Sequence, residues 1–181
     1  MKLSEVKKES SWSDKLLNNP EHIDAFLRAL GAWDNKINPK TLEITIENSV
    51  HVGNKNWTSL PPLNILKVRG DFNCSGNKLK TLDHLPKIIG RSLIMNNNRI
   101  KSLHNIHKHV EYIGEYLIVD PFVTHILGIF FIKGIDRVNF RNRALNDLRK
   151  ERIVNTHLKR GDLHACQEEL IEAGLGKCAK L

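Results

Sequence analysis

Phe72-Asn73-Cys74-Ser75-Gly76-Asn77-Lys78-Leu79-Lys80-Thr81-Leu82-Asp83-His84-Leu85 is answered, about 21 residues on, by Leu93-Ile94-Met95-Asn96-Asn97-Asn98-Arg99-Ile100-Lys101-Ser102-Leu103-His104-Asn105-Ile106. Every apolar position of the first stretch returns in the second, and Asn77 returns as Asn98. One such unit cannot bury its own apolar face, whereas stacked units bury a continuous core. Phe72 and Cys74 point inward from a short strand while Asn73 points away, because side chains alternate along a strand. The asparagine side chain is suited to a sharp turn, where it satisfies backbone groups.

The spacing L-x-L-x-x-N-x-L-x-x-L resembles that of a leucine-rich repeat. The expected fold class is therefore α/β: a short solenoid of parallel strands with a period of about 21 residues, closed by helical caps. Working outward, Val50 and Val52 align with Phe72 and Cys74, and Trp57, Leu60 and Leu63 with Leu79, Leu82 and Leu85. Lys55 stands where the asparagine belongs, so this unit is degenerate. Two looser units place Leu117 and Val119, then Val138 and Phe140, at the strand positions; Thr124–Ile135 fills the arc between them as a short helix or tight turns.

The flanks read differently. Trp12, Leu16, Leu17, Ile23, Phe26, Leu27 and Leu30 fall at helical spacing, with Asn19-Pro20 as a helix start and Gly31 as a stop. Asn38-Pro39 marks a turn, and Leu42–Ile46 alternates as a half-buried strand. After Phe140, Ala144, Leu145, Leu148, Ile153 and Leu158 share one helical face. Gly161 breaks that helix, and Asp162 caps another with Leu163, Cys166, Leu170 and Ile171 inward and Gly174 ending it. The expected organisation is residues 1–40 as an N-terminal helical cap, 41–140 as the solenoid and 141–181 as the C-terminal helical cap.

Composition bounds the function. The 181 residues are 40% hydrophobic and 27% charged, the balance of a globular chain. No apolar run approaches a membrane span, and Met1–Glu9 lacks the apolar stretch of a secretory signal. Cys74, Cys166 and Cys178 are odd in number and without motif spacing, which points to a reducing, cytoplasmic setting and not to disulfides or zinc. The net charge is +8, and residues 41–110 carry roughly +6 of it. Such a balance suits an acidic partner, either a protein face or nucleic acid. A second basic stretch runs through Arg137, Arg141, Arg143, Arg149, Lys150, Arg152, Lys159 and Arg160; its candidate nucleic-acid contacts are Arg137, Arg141, Arg143, Arg149, Lys150 and Arg152, the first three alternating with Phe140.

Val68–Leu82, followed by Leu85-Pro86-Lys87-Ile88-Ile89-Gly90, resembles the G-D-F-x-C-S-x-N-x-L-x-x-L…P-x-x-V-G units of uncharacterised proteins from tailed bacteriophages and some bacteria. Thr124–Ile135 is similar to the closing segment of those proteins, and Cys166–Leu170 to their C-terminal helix. The resemblance covers roughly residues 40–181. It implies the solenoid fold and a binding role without catalysis, and it brings no catalytic residues.

The residues themselves offer little chemistry. There is no phosphate-cradling glycine loop and no nucleophile elbow. His104, His107 and His109 lie on a solvent-facing arc with no cysteine or carboxylate to complete a metal site. His164 and Cys166, two apart on one helix, face different ways and form no dyad. No enzyme activity, metal, cofactor or small-molecule substrate is expected.

The expected site is the outward face of the strands. His51, Asn73, Ile94, Ile118 and Asn139 form its central row, flanked by Ser92, Tyr116 and Arg137. Ile94 and Ile118 beside Tyr116 read as an exposed apolar centre with a polar rim, unless a cap folds over them. The expected function is a protein-binding module, a phage protein that inhibits or redirects a host protein in the host cytosol. The alternatives are a nucleic-acid-binding accessory protein and a virion or assembly component.

Overall fold

The computed structural model describes residues 25–28, 30–31, 34–37, 43–64, 66–141 and 148–181. The expected helical residues 11–24, the Asn38-Pro39 turn and the cap positions Ala144 and Leu145 lie outside them. The described chain is a mixed α/β structure with two sheets of five strands.

Sheet A contains β1 (Asn35–Ile37), β2 (Ile44–Ile46), β4 (Leu66–Val68), β6 (Ile88–Ile89) and β8 (Tyr112–Ile113), in that order. Sheet B contains β3 (Val50–His51), β5 (Phe72–Asn73), β7 (Leu93–Ile94), β9 (Tyr116–Val119) and β10 (Arg137–Phe140), also in chain order. From β2 to β9 the chain alternates between the sheets, β10 then following β9 in sheet B, and every one of these pairings is parallel; only β1 and β2 run antiparallel. The quoted repeat thus predicts sheet B correctly and misses sheet A beyond β2. Residues 1–40 are also not wholly helical, since 25–28 are helical but 35–37 form a strand.

The repeat's apolar positions explain the stacking. Val50, Phe72, Leu93, Leu117 and Val138 lie side by side in sheet B, all fully buried. Val68, Ile89 and Ile113 do the same in sheet A. Leu79, Leu82 and Leu85, with Trp57, Leu60, Leu63, Ile100, Leu103 and Ile106, fill the space between from the returning arcs. Residues 69–71 and 90–92 turn the chain from sheet A to sheet B, and they sit close on one another. A Cβ on Gly90 would lie 2.2 Å from the Arg69 carbonyl oxygen, and one on Gly114 2.0 Å from that of Gly90, so only glycine permits this approach.

The later arcs hold a short helix, α1 (Ile106–His109), and a 3₁₀ helix over Ile126–Phe131, as the Thr124–Ile135 stretch suggests. The C-terminus folds into α2 (Leu148–Leu158) and α3 (Leu163–Glu172). Gly161 adopts φ +66° between them, and Asp162 caps α3 by accepting the Ala165 amide at 3.0 Å. Cys166 and Leu170 face inward as expected; Ile171 and Leu148 do not, being 57% and 63% exposed. α2 packs along β10, and Ile153 and Val154 close that end of the core.

Candidate functional site

The two regular units each hinge on an asparagine. The Asn77 side chain is buried; its Oδ1 accepts the amides of Lys55 and Trp57, and its Nδ2 donates to the carbonyls of Val52 and Cys74. Asn98 repeats this against the preceding unit, accepting the Leu79 amide and donating to Cys74 and Met95. These bonds satisfy the backbone where the chain leaves sheet B, and they hold the outward side chains in register.

The strand register sets the residues of the expected row side by side. His51 pairs with Asn73, Asn73 with Ile94, Ile94 with Ile118 and Ile118 with Asn139, while Tyr116 pairs with Arg137. His51, Tyr116 and Arg137 are exposed, and Asn73, Ile94 and Asn139 are half-buried. Ile118 corrects the expectation: it is only 7% exposed, with Ile94 and Asn139 as its strand neighbours, so it offers no open apolar centre. Ser92 is a second correction. It is 5% exposed, its amide donates to Asp71 Oδ1 at 3.0 Å, and its hydroxyl lies 3.5 Å from Glu115 Oε2. Asn73 turns its own Oδ1 back to the amide and hydroxyl of Ser75. The accessible centre of the face is therefore Tyr116 with Arg137, bordered by Ile94 and Asn139.

Beside this face, the corners carry paired charges. Glu47 bridges Lys36 at 3.2 Å and Arg69 at 2.9 Å, and Lys67 meets Glu43 at 2.7 Å. Arg91 hydrogen-bonds Glu115 at 3.1 Å and faces Asp71 at 3.9 Å; the bond and both negative charges raise its guanidinium above the ordinary value.

The candidate nucleic-acid residues separate. Arg137 and Arg152 line one shallow groove together with Lys159, Asn155 and Glu151. Arg141 and Arg149 are exposed, and Arg143 lies outside the described residues. Lys150 is buried, a correction: its ammonium donates to the carbonyls of Pro121 and Val123 and sits 4.3 Å from the centre of the Phe140 ring. It fastens α2 to the last arc, and no phosphate can reach it without displacing those partners.

The remaining chemistry is quiet. Burial pushes the Cys74 thiol up to about 12, and burial together with Glu169 and Asp162 does the same to Cys166. Cys178 is also buried, its Sγ 3.8 Å from the Val123 carbonyl. Among the described residues no three His, Cys, Asp or Glu side chains converge as a metal site would need. The His107 ring packs 5.1 Å from that of Phe131, and its Nδ1 is buried without a hydrogen-bond partner. No helix among the described residues is long and apolar enough to cross a membrane. Comparison with protein-family models, with curated proteins and with solved structures yields no match.

Proposed function

We propose that the chain is a short leucine-rich-repeat solenoid acting as a non-catalytic protein-binding module. In keeping with its resemblance to tailed-phage proteins, it binds a host protein in the host cytosol and inhibits or redirects it. The observation that carries this reading is the registered outward row of sheet B, in which Tyr116 is 41% exposed next to Arg137. Tyrosine and arginine are the side chains that most often anchor protein interfaces. The half-buried Ile94 and Asn139 give that anchor a rigid floor, so binding orders few side chains and loses little entropy. Occupation of the face by the partner is steric; no group transfer, metal or cofactor is involved.

The test is capture from bacterial lysate by the tagged protein, with nuclease present and elution in a salt series, beside a Tyr116→Asp/Arg137→Glu variant. Both positions are exposed, so the variant retains the fold. One stoichiometric protein held by the parent through moderate salt and lost by the variant supports the reading. Capture that persists in the variant, or that nuclease abolishes, overturns it.

A further inference from the structure

The +8 charge is not distributed as a solvated surface would have it. On the corner side, Lys36, Lys67, Arg69, Lys87 and Arg91 each meet a carboxylate. On the opposite edge, where the chain leaves sheet B, Lys55, Lys78, Lys80, Arg99 and Lys101 are all exposed, and among the described residues none has an ion pair. The backbone brings these side chains together. The Lys78 amide donates to the Trp57 carbonyl, that of Arg99 to Leu79, and that of Thr124 to Lys101. Successive units lie about 4.8 Å apart, and residues two apart on an extended chain about 7 Å apart. Asp83 and Asp120 pair with none of these cations: Asp83 faces His109 at 4.0 Å, and the two oxygens of Asp120 accept the amides of Asn97 and Asn98 at 2.8 and 3.0 Å.

We infer that this edge, Lys55, Lys78, Lys80, Arg99 and Lys101, binds the phosphodiester backbone of nucleic acid without reading its sequence. Like charges this close repel, and a polyanion that displaces their counterions relieves the repulsion. The exposed amides of Asn56 and Asn97 stand among the cations and can donate to phosphate oxygens. An acidic protein face is the less fitting partner, because protein interfaces are built round an apolar centre. Of the large exposed apolar side chains among the described residues, Phe122 alone borders the edge, between Asp120 and Thr124; Tyr112, Tyr116, Phe131, Leu148, Ile171 and Leu181 are not placed on it by any contact, and Trp57 is buried, so the edge holds one exposed ring and no apolar cluster. The edge shares no residue with the Tyr116 face, so variants at one leave the side chains of the other unchanged.

The experiment is fluorescence anisotropy of a labelled 20-base-pair duplex and a 20-nucleotide single strand with the full chain, in a salt series. A labelled poly-glutamate of equal charge serves as the rival ligand. We expect both nucleic acids to bind at low salt, with a log–log salt slope for the duplex of roughly −3 to −4. Lys78→Glu/Lys80→Glu/Arg99→Glu/Lys101→Glu should weaken binding at least about 30-fold, and the same four residues changed to glutamine should weaken it by less. Arg152→Glu/Lys159→Glu should leave it within about twofold. The glutamine variant keeps the test decisive if the glutamate variant fails to fold. Absence of binding at low salt, binding unaltered by either edge variant, or loss with Arg152 and Lys159 overturns the inference. Poly-glutamate bound as tightly as nucleic acid overturns it in favour of an acidic protein.

Discussion

The carboxamide of Asn155 meets both backbone groups that Val138 turns outward from sheet B: Oδ1 accepts the amide at 2.7 Å, and Nδ2 donates to the carbonyl at 2.8 Å. One residue pair along, Glu151 Oε2 accepts the Phe140 amide at 3.0 Å. Side chains of α2 thus occupy the hydrogen-bonding positions that a sixth strand would use. An open edge is a template for pairing with another chain, and this one is closed.

Asn155→Ala should therefore have two effects. It should lower stability by about 1–3 kcal/mol, since two half-buried backbone groups lose their partners. It should also produce concentration-dependent self-association through β10. Denaturant titration and size-exclusion chromatography across a concentration series check both. Asn155→Asp, which keeps the acceptor and loses the donor, should fall between.

The two repeat asparagines should differ in cost. Asn77 is buried and makes four backbone bonds, while Asn98 is half-buried and makes three. Asn77→Ala should destabilise by roughly 3 kcal/mol and Asn98→Ala by roughly half that, read as shifts in urea midpoint at unchanged slope. Equal losses would mean that burial does not set the cost.

Gly90→Ala and Gly114→Ala should each destabilise by more than about 2 kcal/mol, because the new methyl meets a backbone carbonyl that no side-chain rotation can move. Gly176→Ala, with nothing within 4 Å of its would-be Cβ, should be neutral or slightly stabilising. Thermal melts of the three variants decide it.

His107 should make stability depend on pH. Burial, followed by the charges of Lys108, His104 and His109, lowers its imidazole pKa below the ordinary value. The unfolded chain then takes up the proton at higher pH than the folded one. Stability is accordingly full above the ordinary imidazole pKa, near 6.5, and falls as pH drops through it. His107→Phe should flatten the part of the curve between about pH 7.5 and pH 5.5, followed by denaturant midpoint at each pH.

The sheet B strands were legible because the repeat writes them twice: Phe72 and Cys74 return as Leu93 and Met95, and Asn77 as Asn98. The two C-terminal helices were legible through Gly161, Asp162 and Gly174. Sheet A was not, because β6 and β8 are two residues each and alternation needs more. A signal was present all the same, in the recurrence of Val68, Ile89 and Ile113 ahead of each corner. At the candidate face, period two assigned Ile118 to the outward side correctly, but direction alone does not give exposure. Lys150 was misread for the opposite reason: a cation in a basic run reads as solvated, and nothing local announces the Pro121 and Val123 carbonyls that hold it. The edge cations were visible as a charge excess over residues 41–110. Only the fold separates them from the paired lysines and arginines of the corners.

The corners and the returning arcs divide the labour of spacing. Residues 47–49, 69–71 and 90–92 span the same distance with the same number of residues, while the arc 95–111 is longer than the arc 74–87 and holds α1. The corner flank acts as a ruler and the arc flank as slack. New length enters the chain on one side of the stack only, and the strands stay in step whatever is added there.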